Sequence, residues 1–155
     1  MAYTLRAFVA GPEASAVLAE ALGTRPVPLE QGLLLVALPR PAGDDPVVPS
    51  SFGDDAWWLT AGAEELAGRA ALRGPVAYLE AEYFGGTGEQ HAVLWRGGEP
   101  RSFSSELPGA INIALGALGA RRLPSGHEGR LQDEFDSVGL GRHRHTEDWT
   151  PGLDA

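Results

Sequence analysis

The stretch from Gly74 to Gly98 most constrains what this chain can fold into. It reads GPVAYLEAEYFGGTGEQHAVLWRGG, two runs rich in β-forming residues joined by a glycine-rich segment. Such a pattern predicts two long antiparallel strands connected by a hairpin turn. We therefore take this hairpin as the centre about which the rest of the chain is organised.

The first 38 residues predict a β-α unit followed by a second hairpin. Residues 3–10 carry β-formers, and the apolar residues after Pro12 recur at helical spacing until Gly23. Residues 27–30 and 33–38 form two short apolar runs around Gln31-Gly32, which is a plausible tight turn because glycine permits positive φ. This part of the chain therefore predicts three strands and one helix.

The remainder predicts further helices and an edge strand. Thr60 is a good N-cap for a second helix, Pro108 opens a third, residues 133–140 can form a short one, and residues 100–104 suit an edge strand. Together these elements predict one α+β domain over residues 1–155. We expect a mainly antiparallel sheet of five or six strands with two or three helices packed largely on one face.

A proline- and aspartate-rich segment over residues 39–55 is predicted to be a long loop, which in a small domain is either mobile or functional. It leads to Trp57-Trp58. Paired tryptophans bury a large area, so this pair anchors either the core or an interface.

Composition limits the classes of partner. The formal net charge is −9, which argues against binding to nucleic acid or to anionic membranes and favours a protein partner with a basic surface. Because the chain has no cysteine, disulfides and thiolate zinc sites are excluded. The N-terminal apolar run is interrupted by Gly11 and Pro12, and no aliphatic run approaches membrane-spanning length. These features predict a cytoplasmic protein.

Strand alternation predicts a two-faced hairpin. If residues 85–88 form a four-residue loop, Glu82 lies opposite His91, Glu80 opposite Val93 and Tyr78 opposite Trp95. One face is then apolar and builds the core. The other is predicted to be an aromatic and acidic surface and carries the candidate binding residues Tyr78, Glu80, Glu82, His91 and Trp95.

Two alternatives stay open for this surface. A carboxylate beside an imidazole, as in Glu82 and His91, is a candidate acid–base pair, but the pattern favours a solvated cross-strand polar pair. The glycines between the strands resemble a phosphate cradle. No lysine follows them and the next segment is a strand, so a hairpin turn is favoured.

His143 and His145 are further candidate binding residues, since they share one face of an extended segment. Their spacing matches no established zinc pattern, and the arginines interleaved with them would repel a cation. We therefore predict no metal and no cofactor, and interpret the segment as a surface ion-pair cluster with Glu147 and Asp148.

Two blocks, AEYFGGTGEQHAVLW at residues 81–95 and DEFDSVGLGRHRHTEDW at residues 133–149, resemble the signature blocks of a family of small uncharacterised proteins from GC-rich bacteria. The resemblance implies a stable single domain and no mechanism. In size and charge the chain is also similar to the immunity proteins of bacterial toxin systems.

No nucleophile elbow, Walker loop, dinucleotide fingerprint or HExxH motif is present, so no sequence motif identifies an enzyme. The sequence favours a non-enzymatic protein-binding domain, immunity-like or regulatory, that acts through its acidic and aromatic surface. The alternative is a small enzyme or ligand-binding protein in which Glu82, His91 and the two C-terminal histidines converge on one site.

Overall fold

The structure is a computed structural model that describes residues 2–38, 50–52, 59–84, 87–97, 99–104, 109–126 and 129–150. Most of the predicted loop over residues 39–55 lies outside this set, as does the Trp57-Trp58 pair.

A six-stranded sheet forms the centre of the molecule. Its strands are β1 (Ala2–Ala10), β2 (Val27–Pro28), β3 (Leu34–Ala37), β4 (Val76–Phe84), β5 (Thr87–Trp95) and β6 (Arg101–Ser104). Their order across the sheet is β2-β3-β1-β4-β5-β6, and every neighbouring pair is antiparallel. The predicted α+β class and the mainly antiparallel sheet are confirmed, and the predicted hairpin supplies the two long strands β4 and β5.

Helices α1 (Pro12–Leu22) and α2 (Ala61–Ala70) cover one face of the sheet. Proline at the first position of α1 starts the helix, and Gly23 ends it in the left-handed conformation. The side chain of Thr60 accepts a hydrogen bond from the Ala63 N–H at 3.1 Å and caps α2 as predicted. The buried residues of both helices are mainly alanine and leucine, which bring the helices close to the strands.

Helices α3 (Ala110–Ala117) and α4 (Glu134–Val138) cover the opposite face, together with the short helical turns Leu140–Arg142 and Thr146–Trp149. The expectation that helices lie largely on one face therefore differs from the structure, which places helices on both. The physical reason is that β4 over Val76–Leu79 and β5 over Ala92–Trp95 are apolar and buried on both sides. Alternate residues from Val76 and Ala77 onward enter two separate cores, and each core needs its own cover.

The register of the central hairpin also differs from the prediction. Phe84 pairs with Thr87, so two residues rather than four separate the paired strands, and Glu80 rather than Glu82 lies opposite His91. Tyr78 pairs with Val93. Two-residue connections are the commonest in hairpins. Because the shift is two residues, the division of side chains between the two faces is unchanged.

The C-terminal segment closes a free edge of β1. Strand β3 pairs with β1 only from Ala7 onward, so the first half of β1 would otherwise expose backbone groups there. The Thr4 N–H donates to the Arg144 carbonyl at 2.7 Å, and the Thr146 hydroxyl accepts from the Arg6 N–H at 3.1 Å. Trp149 follows and is buried in the core to which α3 and α4 also contribute.

Candidate functional site

The α1/α2 side of the central hairpin begins with a buried aromatic cluster. Tyr78 and Trp95 are both buried, and their rings lie 5.7 and 6.5 Å from the ring of Phe8 in edge-on contact. The prediction that these two aromatic residues form part of an exposed surface is therefore wrong. Helices α1 and α2 cover them, and alternation along the strands could not reveal that cover.

A polar row lies directly beyond this cluster. Arg6 on β1 and His91 on β5 are the cross-strand neighbours of Glu80 on β4. Glu80 is only 5% exposed, and the Tyr78 hydroxyl donates to its Oε1 at 2.7 Å. The side chain of His91 is 14% exposed. We call Arg6, Glu80 and His91 the charged row.

Burial and the charged row together change the pKa of Tyr78. Burial raises the pKa of Tyr78 well above its ordinary value, and the charge and hydrogen bond of Glu80 raise it further, while the positive charge of Arg6 opposes them. Tyr78 is therefore a neutral hydrogen-bond donor to Glu80 throughout the physiological pH range. Sequence reasoning missed Arg6, because its pairing with Glu80 depends on the strand order β1-β4, which local pattern does not indicate.

The outer end of the same hairpin face is exposed. Glu82 is exposed and pairs across the strands with Glu89, whose side chain is 78% exposed. Phe84, two residues beyond Glu82, is 56% exposed. We call Glu82, Phe84 and Glu89 the hairpin end. The hairpin end is both acidic and aromatic, but of its three residues only Glu82 was among the predicted binding residues.

The hairpin end contains an electrostatic conflict. Like charges directly opposite each other on adjacent strands are destabilising, and Glu82 and Glu89 occupy such a pair. On its own strand, Glu89 approaches the His91 Nε2 at 3.7 Å. On the other side of β4, the cross-strand neighbour of Glu82 is Thr4 on β1, which is uncharged.

The two C-terminal histidines have separate surroundings. The ring of His143 packs edge-on against Trp149 with 4.6 Å between centroids, on the α3/α4 side. His145 instead brings its Nδ1 to 3.4 Å from the Thr4 hydroxyl, which borders the hairpin end. Glu82, His91, His143 and His145 thus do not converge on one site. Among the described residues, no group of three metal-ligating side chains is placed to hold an ion.

Comparison of the chain with protein-family models, with curated proteins and with solved structures finds no match. The resemblance to small proteins of GC-rich bacteria therefore stays a prediction. Over the part of the chain that the structure describes, no helix is long and apolar enough to cross a membrane.

Proposed function

We propose that this protein is a non-enzymatic binding module, regulatory or immunity-like, that engages the basic surface of a protein partner through the hairpin end. The observation that carries the proposal is the cross-strand pair of Glu82 and Glu89 beside exposed Phe84. Two glutamates directly opposite each other on adjacent strands cost stability in the free protein, and a basic side chain of a partner would relieve their repulsion.

Three further features support the hairpin end as a contact surface. A phenyl ring flanked by carboxylates offers both an apolar anchor and the charges that orient a basic partner. The hairpin end lies on a paired β-ribbon, so little conformational entropy is lost when it is covered. The net charge of −9 speeds encounter with any basic partner.

Site-specific photo-crosslinking tests the proposal. A benzophenone side chain replaces Phe84 in one variant. In a matched control it replaces Leu72, which is 86% exposed in the short helical turn that follows α2. Both are expressed in the native host and irradiated. The proposal expects a discrete crosslinked protein from position 84 and none from position 72. The same products from both positions, or none from position 84, would count against it.

The charged row supports a second candidate function, a small-ligand or catalytic site. A buried carboxylate between an arginine and a histidine is costly to maintain, and such groups concentrate at functional sites. The corresponding test is a thermal-shift screen with small carboxylates, amines and nucleotides. A ligand of this row should stabilise the native chain and lose that effect in His91→Ala, while the same stabilisation in His91→Ala would reject the site.

A further inference from the structure

A pocket of about 300 Å³ opens on the opposite side of the sheet from the hairpin end. Its floor comes from β1, β4 and β5, and its walls come from the first turns of α3 and α4. The volume is at the lower limit for small-molecule sites, so it suits a ligand of a few heavy atoms. The lining residues that matter for its chemistry are Tyr3, Tyr83, Gln90, Asn112, Asp133 and Phe135.

Three aromatic rings line the pocket, and contacts hold each of them in place. Tyr3 and Phe135 pack edge-on with 5.6 Å between centroids, and the Tyr3 hydroxyl donates to the Leu140 carbonyl at 3.1 Å. The Tyr83 hydroxyl accepts a hydrogen bond from Gln90 Nε2 at 2.7 Å. Tyr83 also lies over Gly88, where an added Cβ would come within 2.7 Å of the ring. Aromatic rings fixed in this way offer an apolar surface against which a short carbon chain can pack.

Asp133 is the one residue with a formal charge among those lining the pocket. Its Oδ1 accepts from the Asp136 N–H at 2.9 Å and caps α4, whereas its Oδ2 accepts from Asn112 Nδ2 at 3.3 Å, longer than a strong hydrogen bond. Within the described residues, Asp133 has no ion-pair partner. The pKa of Asp136 is raised by partial burial and by the charge of Asp133, so this negative charge acts on its surroundings.

The pocket offers little to an anion. Helix N-termini are normally anion sites because their first N–H groups are free. Here side chains already accept from three of them. Gln90 Oε1 accepts from the Ile111 N–H at 2.9 Å, Asn112 Oδ1 from the Phe135 N–H at 2.8 Å, and Asp133 from Asp136.

We infer that this pocket binds a small organic cation, with an ammonium group at Asp133 and its carbon chain against Tyr3, Tyr83 and Phe135. The inference goes beyond the proposed protein contact, because the pocket and the hairpin end lie on opposite faces of the sheet and use no common residue.

The test uses n-butylammonium as the probe, with n-butanol and butyrate as neutral and anionic counterparts of the same chain length. Binding is followed by chemical shifts of the backbone amides of residues 111, 135 and 136 in the full chain. The ammonium ion should shift these amides in a saturable way, at concentrations at least about tenfold below those at which butanol acts, because a hydrogen bond to a charged group is the stronger one. Equal effects of the three probes, or none from the ammonium ion, would overturn the inference.

Asp133→Asn removes the charge but leaves a side chain that caps helices equally well. We expect it to weaken butylammonium binding about tenfold or more, whereas the control Asp148→Asn, which removes one exposed charge elsewhere, should have no effect. Asp133→Ser, which also caps, gives a second variant if the first unfolds. Unchanged affinity in a folded Asp133 variant would refute the site, and neither result bears on the crosslink at position 84.

Discussion

Two halves of one strand face behave in opposite ways. On the inner half of the β4–β5 hairpin, Tyr78 and Glu80 are buried and hydrogen-bonded to each other under α1 and α2. On the outer half, Glu82 and Phe84 continue the same alternation but are exposed. The boundary falls between Glu80 and Glu82, two carboxylates separated by one residue on the same side of the same strand.

This difference shows that alternation along a strand predicts which face of the sheet carries a side chain, but not whether that side chain is buried. Burial depends on how far the covering helices extend along the strand, which is a property of the tertiary structure. The two glutamates therefore have different roles, because one satisfies a buried phenol and the other is available to a partner. Substitutions on either side of the boundary should separate these roles.

Truncating the aromatic ring on each side of the boundary should give the largest contrast. Tyr78→Ala leaves a cavity among Phe8, Trp95 and the helices and should lower the free energy of unfolding by about 3–5 kcal/mol. Phe84→Ala is expected to cost less than about 1 kcal/mol, because that ring is largely exposed. Urea unfolding measures the free energy of unfolding of both variants. Similar losses would show that the two rings do not differ in burial.

Removing each carboxylate should give an intermediate contrast. Glu80→Ala leaves the Tyr78 hydroxyl without its acceptor and should cost about 1–3 kcal/mol of unfolding free energy. Glu82→Ala should change stability by less than about 0.5 kcal/mol, since it removes an exposed charge opposed by Glu89. In a double-mutant cycle, Tyr78→Phe should cost less in the Glu80→Ala background than in the wild type. Additive costs would show that the hydrogen bond does not link the two residues.

The smallest effect concerns alkaline pH. The folded-state pKa of Tyr78 is raised above the ordinary value of 10.0, so above about pH 10 the unfolded chain loses this proton while the native state keeps it. Stability contributed by this group is thus complete below that pH and falls as pH rises, by up to about 1.4 kcal/mol per pH unit. Tyr78→Phe should make the decline shallower in urea unfolding between pH 9 and 11. An unchanged slope would contradict the burial of the phenol.

Much of the fold followed from local pattern. Proline at the first position of α1, Gly23 at its end and the Thr60 cap of α2 are chemical signals within a few residues of the structures they specify. The central hairpin was predicted from its β-formers, and the division of its side chains between two faces survived the error in register because the shift was even.

The candidate site was less accessible to sequence reasoning. Arg6 lies far from Glu80 along the chain and meets it only because β1 and β4 are adjacent in the sheet. The role of Asp133 in the pocket depends on α3 and α4 both beginning at the same end of the sheet. Glu82 at the hairpin end was predicted to be a surface residue, because strand alternation assigns it to the same face as Tyr78 and Glu80.

The central claim is that the hairpin end, rather than overall acidity, contacts a basic partner. Charge reversal tests it through the yield of the crosslink from position 84. Glu82→Arg with Glu89→Arg should lower that yield at least about tenfold, because like charges would then face the partner. Glu20→Arg with Glu65→Arg, which reverses two exposed acids on α1 and α2 and leaves the same net charge, should preserve it. Equal yields from the two double variants would contradict the claim.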